Sequence, residues 1–412
     1  RPLRRGIPVQ YPTIDDINAA RSRLDDVIVR TPLVPALALR EVLPCNVHLK
    51  LENAQRTGSF KDRGALNRLL GLDVGQRARG VVTASAGNHA QALAYHGSRL
   101  GIAVDVVMPV HTPITKIANT QRFGANIRLT GATLSDSMTE AHRIEHEEGR
   151  ILVHPFDDDR VIGGQGTVGL ELLEQLPDLT AVVVPIGGGG LISGIAIAIK
   201  AARPEVRIFG VEAAAAASAL ASRRAGKVIH IETSETIADG IAVKQVGERT
   251  FPLIEQHVED IIDVSEEEIA HAVHLLLERQ KTVAEGAGAA ALAGVMTGRL
   301  PLGENDNAVV LVSGGNIDLS MLQRIVDRGL VSDGRLARIA VTVRDRPGNL
   351  ARLTRIVGEE GANVLEVRHR RAFADISVRD VTIVMHLQAR GPDQIASVTE
   401  RLRREGFEVE TS

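Results

Sequence analysis

Residues 181–200 have the sequence AVVVPIGGGGLISGIAIAIK, in which an apolar strand, four consecutive glycines and an apolar helix follow one another. Runs rich in β-branched residues and bounded by glycine or proline are typical of strands buried on both faces of a parallel sheet. Between residues 48 and 320 such runs alternate with alanine-rich helical segments, which supply the crossovers that parallel strands need. The predicted strands are 47–51, 80–83, 104–108, 126–129, 151–154, 181–185, 206–211 and 308–312.

The four glycines predict an anion site. They let backbone N–H groups approach an anion without interference from Cβ atoms, and the following helix adds the positive end of its dipole. One candidate ligand is a dinucleotide, because Gly188, Gly190 and Glu212 partly match the G-x-G-x-x-G fingerprint and its later acidic residue. The other candidate is a single phosphate, such as that of pyridoxal phosphate.

A lysine motif favours the second ligand. Residues 58–65 have the sequence GSFKDRGA and place Lys61 directly after Phe60, where a helix is predicted to begin. The chain has only seven lysines in 412 residues, so a lysine inside such a motif is informative. Burial there lowers the pKa of the amine and makes it nucleophilic near neutral pH. Pyridoxal phosphate requires such an amine, whereas a dinucleotide does not.

Two further motifs lie where predicted strands end. Residues 83–91, TASAGNHAQ, open a helix whose free N–H groups suit a carboxylate; Asn88 there either binds a ring hydroxyl or caps the helix. Residues 312–316, VSGGN, place Ser313 at the last strand, facing a ring nitrogen or simply forming a turn. The acidic triplets 157–159 and 266–268 are interpreted as solvated charge.

The composition excludes several classes of function. A net charge of −3 and 2% aromatic residues without tryptophan argue against nucleic-acid partners. No apolar run reaches the roughly 18–20 residues that span a bilayer. The lone Cys45 allows no intrachain disulfide, which favours a reducing compartment, so we expect a cytoplasmic protein.

The last part of the chain has a different pattern. After a Gly/Asp-rich boundary, 327–336, the predicted elements follow the order βαββαβ of the split ferredoxin-like fold. These elements are a strand at 337–343, a helix at 350–360, strands near 362–370 and 378–389, a helix at 393–405 and a short final strand.

Together these motifs resemble the threonine dehydratase (threonine ammonia-lyase) and serine dehydratase/racemase family, in the fold-type II, tryptophan-synthase-β-like group of pyridoxal phosphate enzymes. The resemblance covers about 10–325 and rests on 59–65, 85–91, 187–191, 232–240 and 313–316. It implies an α/β catalytic domain at 1–326 with a smaller subdomain inserted at about 55–155, and 327–336 as linker. Residues 337–412 resemble an ACT domain, which binds amino acids at a paired interface.

The resemblance also implies roles for individual residues. Lys61 would hold the cofactor and then act as the base on Cα, with Phe60 against the ring. Asn88 would bind the ring hydroxyl and Ser313 the pyridine nitrogen. The phosphate would be held by Gly187, Gly188, Gly189, Gly190 and Leu191, and the substrate carboxylate by Ser85, Ala86, Gly87, Asn88 and His89. An effector would contact Asp345, Pro347, Gly348, Asn349, Leu350 and Asn363.

Two positions depart from the family pattern. In racemases of this family the corresponding motif resembles Ser-Ser-Gly-Asn, and its second serine is the acid/base on the opposite face of the substrate. Here that residue is Ala86, so racemisation should be poor. Family members with a cation site have an acidic residue six positions after the strand-end glutamate. Here Ser218 follows Glu212 at that distance, so no metal site is expected and Glu212 is only a weak candidate ligand.

The resemblance favours an L-threonine ammonia-lyase with L-serine as the weaker substrate, regulated by an amino acid at the ACT domain in the first step of isoleucine synthesis. A serine-preferring dehydratase or racemase is the alternative within the family. A dinucleotide-dependent oxidoreductase and a non-catalytic amino-acid sensor are the alternatives from other classes. An exposed sheet edge in the ACT unit predicts a homodimer or homotetramer.

Overall fold

A computed structural model describes residues 11–371, 377 and 379–411. The predicted domains 1–326 and 337–412 and the predicted strand 378–389 extend beyond these residues at 1–10, 372–376, 378 and 412. The described chain divides into two compact units, one ending at Asp318 and one beginning at Leu319.

The first unit contains ten described strands. They are β1 Leu33–Pro35, β2 Asn46–Leu51, β3 Val81–Ala84, β4 Val104–Met108, β5 Asn126–Leu129, β6 Ile151–Leu152, β7 Ala181–Pro185, β8 Arg207–Ala213, β9 Asp260–Val264 and β10 Asn307–Val312.

Its described α-helices alternate with these strands. They are α1 Ile14–Leu24, α2 Lys61–Leu70, α3 Val74–Arg79, α4 Asn88–Leu100, α5 Ile114–Gln121, α6 Leu134–Glu148, α7 Asp159–Gln175, α8 Gly190–Ala202, α9 Ser218–Ala225, α10 Thr250–His257, α11 Glu266–Glu278 and α12 Gly286–Met296. Short 3-10 turns occur at Leu37–Val42, Glu52–Ala54, Ala214–Ala216 and Asp239–Ile241.

The strands of the first unit form two sheets. In the described chain, the larger sheet has the order β1-β2-β10-β7-β8-β9, and the smaller has the order β5-β4-β3-β6. All neighbours in both sheets are parallel except β1, which runs antiparallel to β2. The smaller sheet is inserted in the sequence between β2 and β7. The prediction of two parallel α/β sheets is confirmed.

The larger sheet has its core where the sequence predicts it. All five residues of β7 are buried, because helices cover both faces of the sheet. Val182 and Val184 of β7 belong to the same apolar cluster as Ile192 and Ile195 of α8 and Leu311 of β10. This packing holds the loop between β7 and α8 at the carboxyl edge of the sheet, where ligands bind in open α/β sheets.

The second unit begins with α13, Leu319–Ser332. After it come β11 Leu336–Arg344, α14 Asn349–Glu359, β12 Asn363–Arg370, β13 Asp380–Gln388, α15 Pro392–Arg404 and β14 Glu408–Thr411. The described strands form an antiparallel sheet in the order β12-β13-β11-β14. The predicted βαββαβ order is therefore confirmed.

The predicted linker needs correction. Residues 327–336 do not form a free linker, because they span the end of α13 and the start of β11. Ile325 of α13 is 5% exposed, and the helix belongs to the second unit. Within the described residues, no helix combines the length and the apolar character that crossing a bilayer demands.

Candidate active site

The first and last motifs of the catalytic region meet at Lys61. Phe60 N donates to Ser313 O at 3.1 Å, and Gly315 N donates to Gly58 O at 2.9 Å. The segment before α2 is thus hydrogen-bonded to the segment after β10, although the bonded residues lie 253 and 257 positions apart in the sequence. This pairing places Lys61, the first residue of α2, beside Ser313.

The Lys61 amine is the chemically distinctive group of this region. Its Nζ donates to Pro155 O at 2.8 Å and lies 5.0 Å from the centroid of the Phe60 ring. Burial lowers the pKa of Lys61 from 10.5 to about 8, against the opposing charge of Glu285. An appreciable fraction of the amine is therefore unprotonated near neutral pH, as a nucleophile or base requires.

Neighbouring side chains lie very close to the backbone of the glycine loop. A Cβ on Gly188 would collide with the ring of Phe156, and Gly189 has a φ of +90°, a conformation that favours glycine. Thr250 Oγ1 donates to Gly188 O at 2.6 Å and fixes the loop from behind. Gly190 and Leu191 open α8, whose N-terminus adds its positive dipole to the site. The loop therefore forms a cradle for an anion.

The third motif opens α4. Ser85 Oγ accepts from Gly87 N at 3.3 Å, and Ala86 contributes no polar side chain. A Cβ on Gly87 would meet no atom within 4 Å, so the space beside this backbone is open. Such a helix start presents N–H donors to a carboxylate.

His89 lies behind this motif and remains uncharged. Burial, and then the charge of Lys61, lower the pKa of His89 to about 3. Its Nε2 lies 3.3 Å from Val153 O, so Nε2 carries the proton and donates. Its buried Nδ1 has no hydrogen-bond partner among the residues that the structure describes. With so low a pKa, His89 is a poor general base.

Asn88 is held by two side chains from distant parts of the chain. Its Nδ2 donates to Glu285 Oε1 at 2.6 Å, and its Oδ1 accepts from Asn316 Nδ2 at 2.8 Å. Burial, and then the charge of Asp239, raise the pKa of Glu285 to about 7. Glu285 was not among the predicted site residues, but its place in the small-residue loop 284–288 was a usable signal.

These motifs now form one site at the carboxyl edges of two parallel sheets. A family model described as "Pyridoxal-phosphate dependent enzyme" matches residues 24–314. The chain belongs to this family. Its cofactor is pyridoxal phosphate, which decides between the two ligands that the glycine loop left open.

Named relatives of this pyridoxal phosphate enzyme match over almost the full chain. The L-threonine ammonia-lyase of Thermotoga maritima is 44% identical over 397 residues, which cover 96% of this chain and 98% of the relative. That of Geobacter sulfurreducens is 43% identical over 394 residues, with 96% and 98% covered.

Solved structures give the same fold for the first unit. The processed form of threonine deaminase isoform 2 from Solanum lycopersicum matches with a TM-score of 0.72 and 36% identity, covering 78% of this chain and 93% of that one. Maize serine racemase matches with a TM-score of 0.74 and 35% identity, covering 78% and 99%.

Three features of the site fit pyridoxal phosphate. The glycine loop is a cradle that side chains would fill, as a phosphate requires. The Lys61 amine has a lowered pKa, which suits its attack on an aldehyde. Among the described residues, the buried Ser313 hydroxyl has one hydrogen-bond partner, Ala287 O at 3.5 Å, and this contact is long enough for the hydroxyl to turn and donate to a ring nitrogen instead.

Both carboxylate oxygens of Glu212 accept hydrogen bonds from the backbone. One of its carboxylate oxygens accepts from Ala219 N at 2.9 Å and the other from Leu220 N at 2.8 Å, both at the start of α9. Burial raises the pKa of Glu212 to about 7, although these backbone donors oppose the rise. The carboxylate thus caps a helix of this pyridoxal phosphate enzyme.

The predicted effector residues lie in the second unit, and most line a common cavity of about 300 Å³. Asn363 is not among the described residues that line it; it pairs with Gln388 at the start of β12. Arg371 Nε donates to Asp345 Oδ at 2.9 Å at the rim. The predicted residues that do line the cavity are Asp345, Pro347, Gly348, Asn349 and Leu350.

Proposed function

We propose that this chain is an L-threonine ammonia-lyase. L-threonine would lose its α-hydrogen and its β-hydroxyl, and hydrolysis of the product would give 2-oxobutanoate and ammonia. L-serine would give pyruvate more slowly. The observation that carries the proposal is the 44% identity over 96% of the chain to a relative named for this activity. That relative is covered over 98% of its own length, so both units are shared.

In this proposal Lys61 binds the cofactor aldehyde and later removes the α-hydrogen. The Pro155 carbonyl, 2.8 Å from Nζ, holds the amine in place whenever it is free. Because the pKa of Lys61 is lowered to about 8, an appreciable fraction of the free amine is unprotonated near neutral pH and can accept the proton from Cα. Phe60 packs beside the amine and limits the access of water.

Further residues of the site hold the cofactor and the substrate in this proposal. The glycine loop with Leu191 holds the phosphate, Asn88 binds the ring hydroxyl and Ser313 contacts the ring nitrogen. The motif from Ser85 to His89 binds the substrate carboxylate at the start of α4.

The contact at the ring nitrogen sets the course of the reaction. Bound pyridoxal phosphate withdraws electrons from Cα and so stabilises negative charge there. The neutral hydroxyl of Ser313 would not keep the ring nitrogen protonated as an aspartate would, so the bound cofactor would supply a weaker electron sink. Charge that is poorly delocalised favours prompt departure of the β-hydroxyl, which is the outcome that a lyase needs.

The decisive experiment is the Lys61→Ala variant, assayed for 2-oxobutanoate from L-threonine and for the visible absorption of bound cofactor. We expect both to be lost, because the attachment point and the base are the same amine. Lys200→Ala is a matched control, since Lys200 Nζ also donates to a proline carbonyl, Pro204 O at 2.9 Å, but on the surface. Wild-type turnover by Lys61→Ala would refute the assignment.

The similarity to serine racemases supports a second candidate, a serine-preferring dehydratase or racemase. Against it stands Ala86, which has no side chain able to carry a proton to the opposite face of the substrate. Ala86→Ser should therefore raise the formation of D-serine from L-serine, measured by chiral chromatography. If that variant makes no D-amino acid, the argument that Ala86 limits racemisation is wrong.

We also propose that the second unit is an ACT domain that binds an amino-acid effector. The cavity that contains Asp345 and Asn349 is of a size suited to an amino acid, and the turn at Gly348, with a φ of +92°, shapes one side of it. The enzyme would be cytoplasmic, assemble as a homodimer or homotetramer and catalyse the first step of isoleucine synthesis. The test is 2-oxobutanoate formation with and without isoleucine; an effect of isoleucine supports the proposal, and indifference to isoleucine and other amino acids counts against it.

A further inference from the structure

Hydrogen bonds fix which way the Asn88 carboxamide points. Asn316 Nδ2 donates to the carbonyl oxygen of Thr57 at 2.7 Å, and this oxygen can only accept. Asn316 must therefore present its NH₂ group, which also donates to Asn88 Oδ1 at 2.8 Å. Asn88 then turns its own NH₂ group to Glu285 Oε1, at 2.6 Å. The orientation of each amide follows from the one before.

A count of donors shows what remains for a ligand. The two N–H groups of Asn316 are used by Thr57 and Asn88. One N–H of Asn88 is used by Glu285, and the second N–H has no partner within the described residues of this chain. Asn88 is thereby set to donate a hydrogen bond. A donor stabilises an ionised hydroxyl, whereas a carbonyl oxygen in the same place would destabilise it.

Glu285 is itself fixed in place. It is 7% exposed, precedes α12, and its backbone N donates to Gly314 O at 3.1 Å. A Cβ on Gly314 would collide with Glu285 Oε1, so the glycine leaves room for this carboxylate. The carboxylate thus has little freedom to leave Asn88.

Several charged groups face this carboxylate. Asp239, in the turn before Gly240, raises its pKa, and Lys116 of α5 lowers it. Lys116 itself forms an ion pair with Asp239. Lys61 of α2 also interacts electrostatically with Glu285.

We propose that Glu285 is a positioning residue that, together with Asn316, holds Asn88 with one N–H free for the ring hydroxyl of the cofactor, and that the charge of Glu285 adjusts the ionisation of that hydroxyl. This inference rests on the proposed role of Asn88 in cofactor binding. It assigns Glu285 a function that acts through another side chain and requires no contact with the substrate.

The test uses the full-length enzyme saturated with pyridoxal phosphate. The measured quantity is the pH midpoint at which the ring hydroxyl ionises, followed by visible absorption. Glu285→Gln keeps an acceptor for Asn88 but removes a negative charge, so we expect the midpoint to fall by about one pH unit. Glu285→Ala removes the charge and the acceptor, which lets Asn88 turn, so its midpoint should lie above that of Glu285→Gln.

The same pair of variants is then compared in an Asn88→Ala background. Glu285→Gln and Glu285→Ala differ only in their ability to hold Asn88, so without Asn88 they should give equal midpoints. Glu212→Gln is the matched control, because Glu212 is also buried with a pKa raised to about 7, but it contacts α9 instead. Its midpoint should equal that of the wild type. If Glu285→Ala does not fold, Asn316→Ala removes the other side chain that holds Asn88. Because this variant keeps the charge of Glu285, its midpoint should lie above that of the wild type.

The outcomes separate this inference from the proposed function. A wild-type protein that stays colourless with pyridoxal phosphate overturns both. A wild-type band that Lys61→Ala abolishes, combined with equal midpoints for the two Glu285 variants, overturns only the role of Glu285. A difference between those variants that persists without Asn88 also overturns it, because Glu285 would then act independently of the amide.

Discussion

The Arg63→Met variant tests how far buried ion pairs stabilise the helix that carries Lys61. Arg63 is 1% exposed, and its Nε and Nη2 donate to Glu52 at 2.9 and 2.8 Å. Its Nη1 and Nη2 donate to Glu171 at 2.6 and 3.0 Å. Arg63, Glu52, Glu171 and Lys50 form one cluster of charges. After the substitution Lys50, which donates to Glu171 at 2.5 Å, would be the one cation left in this cluster among the described residues. The substitution therefore leaves the buried Glu52 without the guanidinium that is paired with it.

The magnitude follows from burial. Removal of one partner from a buried ion pair costs about 3–5 kcal/mol, because the remaining charge has lost both water and its partner. Arg143 provides a control with similar geometry on the surface, since its Nε and Nη2 donate to Glu140 at 2.8 and 2.7 Å while its side chain is 43% exposed. Arg143→Met should cost far less than Arg63→Met, because exposed ion pairs are screened by water and contribute little to stability.

The assay is urea unfolding followed by circular dichroism, without added cofactor so that binding does not contribute to stability. The free energy of unfolding is taken from the midpoint and the slope. The double variant Arg63→Met with Glu52→Gln should recover much of the loss, because no carboxylate is then left unpaired at position 52. Equal costs for Arg63→Met and Arg143→Met, or no recovery in the double variant, would refute the reasoning.

Three further predictions concern the cofactor, the base and the second unit. Gly188→Ala should weaken pyridoxal phosphate binding at least tenfold in equilibrium dialysis, because its Cβ would collide with Phe156; unchanged affinity contradicts this. Because the Lys61 amine would be free to act as the base only in the substrate complex, and burial lowers its pKa to about 8, kcat should rise with pH up to about 8; a flat profile of kcat from pH 6 to 9 contradicts this. The protein that lacks 319–412 should remain a soluble enzyme without a response to amino acids. The protein that lacks 335–412 should aggregate, as measured by sedimentation, because α13 loses its contact with β11. The reverse result contradicts the assigned boundary.

The two parallel sheets were predictable because their strands are short apolar runs with helices between them. β9 was missed because Asp260 and Asp263 interrupt its apolar pattern, although all five of its residues pair with β8. β1 was missed because it has only three residues, ends at Pro35 and runs antiparallel at the edge of the sheet. Edge strands satisfy fewer constraints, so their sequences carry a weaker signal.

The boundary between the units shows how local composition can mislead. Gly329, Asp333 and Gly334 suggested a linker, yet α13 continues to Ser332. Gly334, with a φ of +65°, follows this helix as glycine commonly does after a helix end. Glycine and aspartate are common both in linkers and at helix ends, and the packing of α13 against β11 of its own unit distinguishes the two cases.

The interpretation of the acidic triplets as solvated charge holds for the exposed Asp159 and Glu267 but was wrong for Asp157, Asp158 and Glu266, for a related reason. Asp157 Oδ1 accepts from Arg249 N at 2.9 Å, and Asp158 caps α7 while it pairs with Arg68. Glu266 accepts from Ile237 N at 2.8 Å and so fixes the loop before Gly240. Apart from the cap, these partners lie far from the triplets in the sequence, and a single sequence gives no sign of them.

The candidate site was likewise predictable only in part. That the lysine, glycine and serine motifs would meet was predictable, because the carboxyl ends of parallel strands lie at one edge of a sheet. The partners of Asn88 were not, since Glu285 and Asn316 lie 197 and 228 positions away. Yet these partners decide whether Asn88 offers a donor or an acceptor, and a ring hydroxyl responds in opposite ways to the two. The motif thus specifies which residue stands beside the cofactor, and its distant neighbours specify what that residue does there.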